Sequence, residues 1–191
     1  MLATLNRSKG RELAGLLHGI PYEIRLLADT PGARLPEETE DTYRGNALLK
    51  ARAAARLTGH VALADDSGLE IDALGGEPGV RSARFGGPGL DDAARTALLL
   101  ARLAERPGAP RSARYRCVIA IADGAGREHV VEGVVEGVIA QAPRGGGGFG
   151  YDPVFVYPPL GRTFAEVTED EKARVSHRAV AARAARALLA G

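Results

Sequence analysis

The stretch TYRGNALLKARAAARLTGHVALADD, residues 42–66, decides the fold class. Its alanines and leucines recur at helical spacing from Thr42 to Leu57, and Gly59 stands where a helix would stop. Val61 to Ala64 then reads as a short buried strand that runs into Asp65 and Asp66. A long helix, a stop and a buried strand make one unit of an α/β domain. Outward from it, strand and helix signals keep alternating. Toward the N-terminus, Leu2 to Leu5 and Tyr22 to Leu27 read as strands, Ser8 to Leu17 as a helix, and Thr30 to Glu40 as a loop. Toward the C-terminus, Asp65 to Gly89 is glycine-rich and reads as irregular. Asp91 caps a second clear helix that reaches Arg106 and stops at Pro107-Gly108. Arg114 to Ala122 and Glu128 to Ile139 read as two strands around the turn Asp123-Gly124-Ala125-Gly126. Tyr151 to Tyr157 reads as a strand, and Ser176 caps a final helix to Leu189. No repeat or linker divides the chain, so residues 1–191 are expected to form a single domain.

Composition narrows the function. The chain has 191 residues, 45% hydrophobic and 26% charged, with net charge +1. That balance excludes a long nucleic-acid footprint, so any basic site must be local. The single cysteine, Cys117, lies in the apolar run Cys117-Val118-Ile119-Ala120-Ile121 and reads as a buried, inert thiol. Met1 to Asn6 lacks the charged and apolar regions of a signal peptide, and no apolar stretch is long enough to span a bilayer. A cytoplasmic protein with no membrane partner is expected. Lys+Arg is 25, yet lysine occurs only at Lys9, Lys50 and Lys172, leaving 22 arginines. A compact ammonium fits close against phosphate where a planar guanidinium does not. Each lysine also sits beside residues suited to anions or metals.

Thr4-Leu5-Asn6-Arg7-Ser8-Lys9 joins the first strand to the first helix. Amides at a helix N-terminus favour an anion, and Thr4, Asn6 and Lys9 would add side-chain donors. The spacing is not that of a P-loop. Asp65-Asp66-Ser67 places two carboxylates at the end of a buried strand, which is costly without a cation or donors. Such a pair suits Mg²⁺, which takes few protein carboxylates. Glu37-Glu38 would be a second carboxylate source for the same ion. Asn46 and Lys50 are four residues apart and share one helix face, which puts Lys50 within reach of phosphate. Gly145, Gly147 and Gly150 match a dinucleotide Gly-x-Gly-x-x-Gly by letter, but Tyr151-Asp152-Pro153-Val154 cannot open the helix that motif requires. The loop suits close approach of a flat base, with Phe149 or Tyr151 stacking on it. His177 and Arg178 would project from the first turn of the last helix as donors. The four histidines lack metal-ligand spacing.

Taken together, Ala3 to Leu13, Glu38 to Ala55, Leu63 to Phe85, Gly147 to Val156 and Thr163 to Arg178 closely resemble the inosine triphosphate pyrophosphatase family. The resemblance implies hydrolysis of ITP, dITP and XTP to the monophosphate and pyrophosphate, with Mg²⁺ and a homodimer. It implies an α/β fold with a long mixed sheet, two lobes and a cleft between them. By motif, Thr4, Leu5, Asn6, Arg7, Ser8 and Lys9 resemble the triphosphate-binding segment. Asp66 resembles the catalytic acid and metal partner, with Glu37 or Glu38 as the other metal carboxylate. Ser67 and Lys50 resemble substrate contacts. Phe149, Gly150, Tyr151 and Asp152 resemble the base-side loop, and Lys172, His177 and Arg178 the last base and phosphate contacts. Leu5 replaces a common glycine and Ala173 a common asparagine; neither change removes an ionic group. Two other readings fit the same residues: a pyrophosphatase for modified pyrimidine or methylated nucleotides, and a nucleotide-binding module without catalysis. The second has no need of Asp65-Asp66 with Glu37-Glu38.

Overall fold

The computed structural model describes residues 1–190. The α/β class is as expected. Helices α1 (Arg7–Leu16), α2 (Tyr43–Thr58), α3 (Asp92–Ala104), α4 (Glu169–Val175) and α5 (His177–Leu189) accompany strands β1 (Ala62–Ile71), β2 (Ser112–Ala122), β3 (Glu128–Ile139), β4 (Phe155–Tyr157) and β5 (Arg162–Thr163). The strands form one sheet in the order β1-β2-β3-β4-β5. β3 pairs antiparallel with β4, Ile139 opposite Phe155, and β4 pairs antiparallel with β5, Val156 opposite Thr163. Leu2 makes isolated parallel bridges to Leu26 and Leu63, so the pairing is mixed.

The helix ends follow local chemistry. Asn6 caps α1, its side chain accepting the Ser8 and Lys9 amides. Thr42 caps α2, and Gly59 ends it at φ 69°, a left-handed conformation open to glycine. Asp91 caps α3. Helix α4, absent from the sequence reading, opens on a capping box between Thr168 and Glu171.

The strands depart further from expectation. Only Leu2 of the first predicted strand pairs, and only through bridges. The second predicted strand is likewise reduced to a bridge at Leu26, followed by a 3-10 turn at Leu27–Asp29. β1 runs to Ile71, so Asp65 and Asp66 lie inside a strand rather than beyond it. β4 begins only at Phe155, because Gly150 to Val154 turn instead of extending.

The chain divides into two compact units. The first comprises Met1–Ser67, Cys117–Gly133 and His177–Gly191, the second Gly68–Arg116 and Val134–Ser176. The first has a core of Leu2, Leu13, Leu17, Leu63, Cys117, Ile119 and Ile121 with Ala181, Ala182 and Ala185 of α5. Burial pushes the Cys117 thiol well above its usual pKa, which fits a core role. In the second unit Phe155 lies between Tyr115 and Phe164, with ring centroids 4.5 and 5.0 Å away.

Close backbone packing seats α5 in the first unit. A Cβ at Gly133 of β3 would collide with the His177 carbonyl and the Ala181 amide and lie 2.9 Å from Val180 Cβ. Gly133→Ala is therefore expected to destabilise the protein by about 1–3 kcal/mol, read as a lower urea midpoint. An unchanged midpoint would show that α5 is not held in this way.

Candidate active site

In the first unit, β1 carries two adjacent aspartates with little exposure, 2% for Asp65 and 4% for Asp66. Strand geometry sends them to opposite faces, and they meet different neighbours. Asp65 Oδ2 lies 3.5 Å from Arg178 Nε of α5 and 3.7 Å from Lys9 Nζ of α1. Ser67, two residues on and on the same face, ties this group together. Its Oγ donates to Asp65 (3.3 Å) and accepts from Arg178 Nη2 (3.0 Å) and Lys9 Nζ (3.5 Å). Glu12 of α1 closes the far side, its carboxylate 2.9 Å from Arg178 Nη1. Burial alone would raise the Asp65 pKa, but Lys9, Arg178 and Lys50 outweigh it and hold the carboxyl well below its ordinary range. The same pairing raises the Arg178 pKa against its own burial. Asp65 is thus a permanent anion.

Asp66 faces α2. Asn46 Nδ2 donates to its Oδ2 at 3.2 Å, and Lys50 Nζ stands 3.6 Å from its Oδ1. Lys50 Nζ is also 2.5 Å from Glu38 Oε1. Burial pushes the Asp66 carboxyl up to about 6, Lys50 opposes this, and the Glu38 charge adds to it. One aspartate is fully compensated, and its neighbour is poised near neutrality. Lys50, itself only 8% exposed, keeps a raised pKa because Asp65, Asp66 and Glu38 outweigh its desolvation.

These contacts distinguish the sequence candidates. Glu38 joins Lys50 and Asp66, whereas Glu37 is exposed. Arg7 pairs with Asp29 at 2.6 Å and donates to the Ala28 carbonyl, away from the aspartates. The Ser8 and Lys9 amides go to Asn6 Oδ1, so the helix end offers fewer free amides than expected; Lys9 contributes through its side chain. Thr4 is buried and its Oγ1 accepts the Asn6 amide, while Leu5 is 49% exposed. His177 and Arg178 do not project as open donors: they are 4% and 1% exposed. Sequence reading left out Glu12, whose position one helical turn after Lys9 was the available signal.

The remaining candidates lie in the second unit. Lys172 Nζ sits 2.5 Å from Asp152 Oδ2 and 4.9 Å from the Phe149 ring centroid. Asp152 Oδ2 also accepts the Phe149 amide at 2.9 Å. Gly148, at φ 70°, allows this turn, and a Cβ there would collide with the Asp152 carboxylate. The Gly150 amide donates to Asp92 of α3 at 2.7 Å, and Tyr151 Oη donates to the Ser82 carbonyl at 2.9 Å. Burial raises the Tyr151 pKa to about 12, consistent with a structural hydroxyl.

Among the described residues no group of three or more His, Cys, Asp or Glu side chains could by itself hold a metal ion. Glu38 and Asp66 still fit a hard divalent cation that keeps water and substrate oxygens as its other ligands. Their donors are carboxylate oxygens, and the Lys50 ammonium already lies 2.5 Å from one and 3.6 Å from the other.

The two aspartates should respond oppositely to neutralisation. The Asp66 carboxyl is raised in the folded state, so its ionisation opposes folding above a pH of about 6, and this cost disappears on acidification. In chelator at pH 7, Asp66→Asn should be more stable than the parent by on the order of 3 kcal/mol. The gap should close as pH falls toward about 4. Asp65→Asn should instead lose about 3–5 kcal/mol, because buried cations lose their partner. Denaturant titrations across pH check both, and equal responses would contradict the assigned environments.

Comparison with known proteins accords with this chemistry. The Ham1 family matches residues 1–188. A dITP/XTP pyrophosphatase of Desulforamulus reducens is 50% identical over 189 residues, 99% of this chain and 94% of the relative. One of Thermus thermophilus is 51% identical over 184 residues, 96% of this chain and 88% of that one. The solved structure of a HAM1 protein from Coxiella burnetii aligns with a TM-score of 0.91 at 41% identity, covering 98% of this chain and 96% of that chain. The crystal structure of a nucleoside-triphosphatase, dITP/XTP pyrophosphatase, from Mycobacterium abscessus aligns at 0.77 with 46% identity, covering 98% and 97%. With its family matched over nearly its whole length and such relatives at about half identity, this chain belongs to the Ham1 family.

Proposed function

We propose that residues 1–191 act as one enzyme that hydrolyses the non-standard purine nucleoside triphosphates dITP, ITP and XTP to the monophosphate and pyrophosphate. The observation that carries the chemistry is the split pair on β1, with Asp65 paired to Arg178 and Lys9 and Asp66 facing the Lys50 that also holds Glu38. Names and coverage of the relatives support the substrate class.

In this reading water attacks the α-phosphorus. The new P–O bond forms as the bond to pyrophosphate breaks, and the proton passes to the Asp66 carboxylate. General-base transfer of this kind contributes about 10²–10⁴-fold to a rate. Mg²⁺, held by Asp66 and Glu38, would supply Lewis-acid polarisation of phosphate oxygens. Lys9 and Lys50 bring compact positive charge to the departing pyrophosphate, and Asp65, Ser67 and Arg178 hold Lys9 in place. Thr4, Leu5, Asn6, Arg7 and Ser8 remain triphosphate contacts that the family resemblance supports, as His177 and Arg178 remain contacts in the first unit. In the second unit the Phe149 face and the Lys172–Asp152 pair suit an aromatic base, with Gly150 and Tyr151 shaping the turn. Selectivity follows from the purine 6-position, where inosine and xanthosine present an acceptor and adenosine a donor. Each mismatched buried polar group costs about 1–3 kcal/mol. The family resemblance also supports a cytoplasmic homodimer. Among the described residues no helix is long and apolar enough to cross a membrane.

A nucleotide panel assayed for pyrophosphate and for orthophosphate, with Mg²⁺ and with chelator, tests the proposal. Pyrophosphate alone, from dITP, ITP and XTP and only with the metal, is the expected result; orthophosphate, or equal turnover of ATP, would remove the reading. Asp66→Asn should lose at least about 10²–10⁴-fold in kcat with its circular dichroism unchanged. Light scattering should give twice the chain mass, and a monomer would end the dimer proposal.

A further inference from the structure

Asn46 has no place in the chemistry above, yet it is fully buried, at 0% exposure, and its side chain joins two elements that the reaction needs. Nδ2 donates to Asp66 Oδ2 at 3.2 Å and to the Glu40 carbonyl at 3.1 Å, and Oδ1 accepts the Glu40 amide at 3.0 Å. Both donors are used, and they fix the orientation of the amide. Turned over, it would set its oxygen against a carboxylate and a carbonyl. The two bonds to Glu40 hold the backbone of that residue as a strand partner would, two positions after Glu38. The third bond aims one oxygen of Asp66. Lys50 also bridges Glu38 and Asp66, at 2.5 and 3.6 Å, but a long, flexible side chain does not by itself define a separation.

A second feature points the same way. Gly45 precedes Asn46 in the first turn of α2, and a Cβ there would lie 2.6 Å from Glu40 Cβ and 2.8 Å from its Cγ. Gly45 has no positive φ, so helix geometry does not require glycine. Glycine is a poor helix former, less favourable than alanine by about 1 kcal/mol. What it allows here is the approach of Glu40 that Asn46 then clamps.

We infer that Asn46 is a positioning residue, which with Gly45 locks the acidic loop to α2 and to Asp66 so that Glu38 and Asp66 present their oxygens to one divalent cation. A hydrogen-bonded amide suits this task better than a charge. A lysine would neutralise Asp66, and an aspartate would repel it. The inference rests on the metal-dependent reading of the site. It differs from that reading in placing the geometry of the carboxylate pair in a residue that touches neither metal nor substrate.

The test uses Asn46→Ala and Gly45→Ala in the full chain. Mg²⁺ binding to nucleotide-free protein is followed by calorimetry, alongside kcat and KM for dITP and a thermal melt in chelator. Loss of an outer partner of a metal ligand weakens binding by about 10–100-fold. Asn46→Ala should show a loss of that size in Mg²⁺ affinity, with kcat at saturating metal also reduced. Gly45→Ala should also weaken Mg²⁺ binding, because the added Cβ displaces Glu40; affinity is read at a temperature where its chelator melt shows the variant fully folded, so a general loss of stability cannot account for the change. Parental Mg²⁺ affinity in a folded Asn46→Ala protein would overturn the inference. If Asn46→Ala does not fold, Gly45→Ala decides: parental affinity overturns the inference and weakened affinity supports it. Should the parent release no pyrophosphate from dITP, the functional reading fails, and the calorimetric arms still judge the clamp.

Discussion

Burying two neighbouring carboxylates inside one strand is the constraint around which the first unit is organised. Because side chains alternate along β1, one set of cations cannot serve both aspartates equally. Asp65 is matched by Arg178 and Lys9 through Ser67, and Arg178 is matched again by Glu12. Asp66 has Lys50, which it shares with Glu38, and a neutral amide from Asn46. The imbalance separates the protonation behaviour of two chemically identical groups, one anchoring cations and its neighbour, less fully compensated, pushed above the usual carboxylate range by burial. It also explains which helices surround the strand. α1 and α5 bring the cations to Asp65, while α2 brings a single lysine and an amide to Asp66.

The second unit meets a related problem with less charge. A buried lysine and a buried aspartate neutralise one another, and the aspartate also holds the loop by accepting the Phe149 amide. The Lys172 ammonium lies against the rings of Phe149 and Phe164, so its stem is packed while its charge stays paired. Phe164 is itself seated by Tyr115 and Phe155. The aromatic core thus supports the loop.

The helices were the most legible part of the chain, since their starts and stops are chemistry within one turn. Asn6, Thr42, Gly59 and Asp91 act at the ends they mark. α4 was as legible in principle, through Thr168 and Glu171, but its seven residues are too few for an apolar period. Strands were harder to read because a strand is made by its partners. Leu2 to Leu5 and Tyr22 to Leu27 carry apolar residues, yet only Leu2 and Leu26 find bridges. β1 extends through Asp65, Asp66 and Gly68, residues poor in strand propensity, because cations from distant segments compensate the charge.

The amino-acid order by itself determined which residue types were available for the chemistry, how far apart they stand along the chain, and where most helices begin and end. Local hydrogen bonding and apolar spacing require nothing beyond a few neighbouring residues. Tertiary structure alone decided that Glu38 rather than Glu37 joins Asp66, that Arg178 turns inward to Asp65 and Glu12, and that adjacent aspartates ionise so differently. Charge state and direction inside a protein depend on burial and on groups brought close from remote positions. Glu12 and Arg178 are 166 residues apart along the chain and 2.9 Å apart in space.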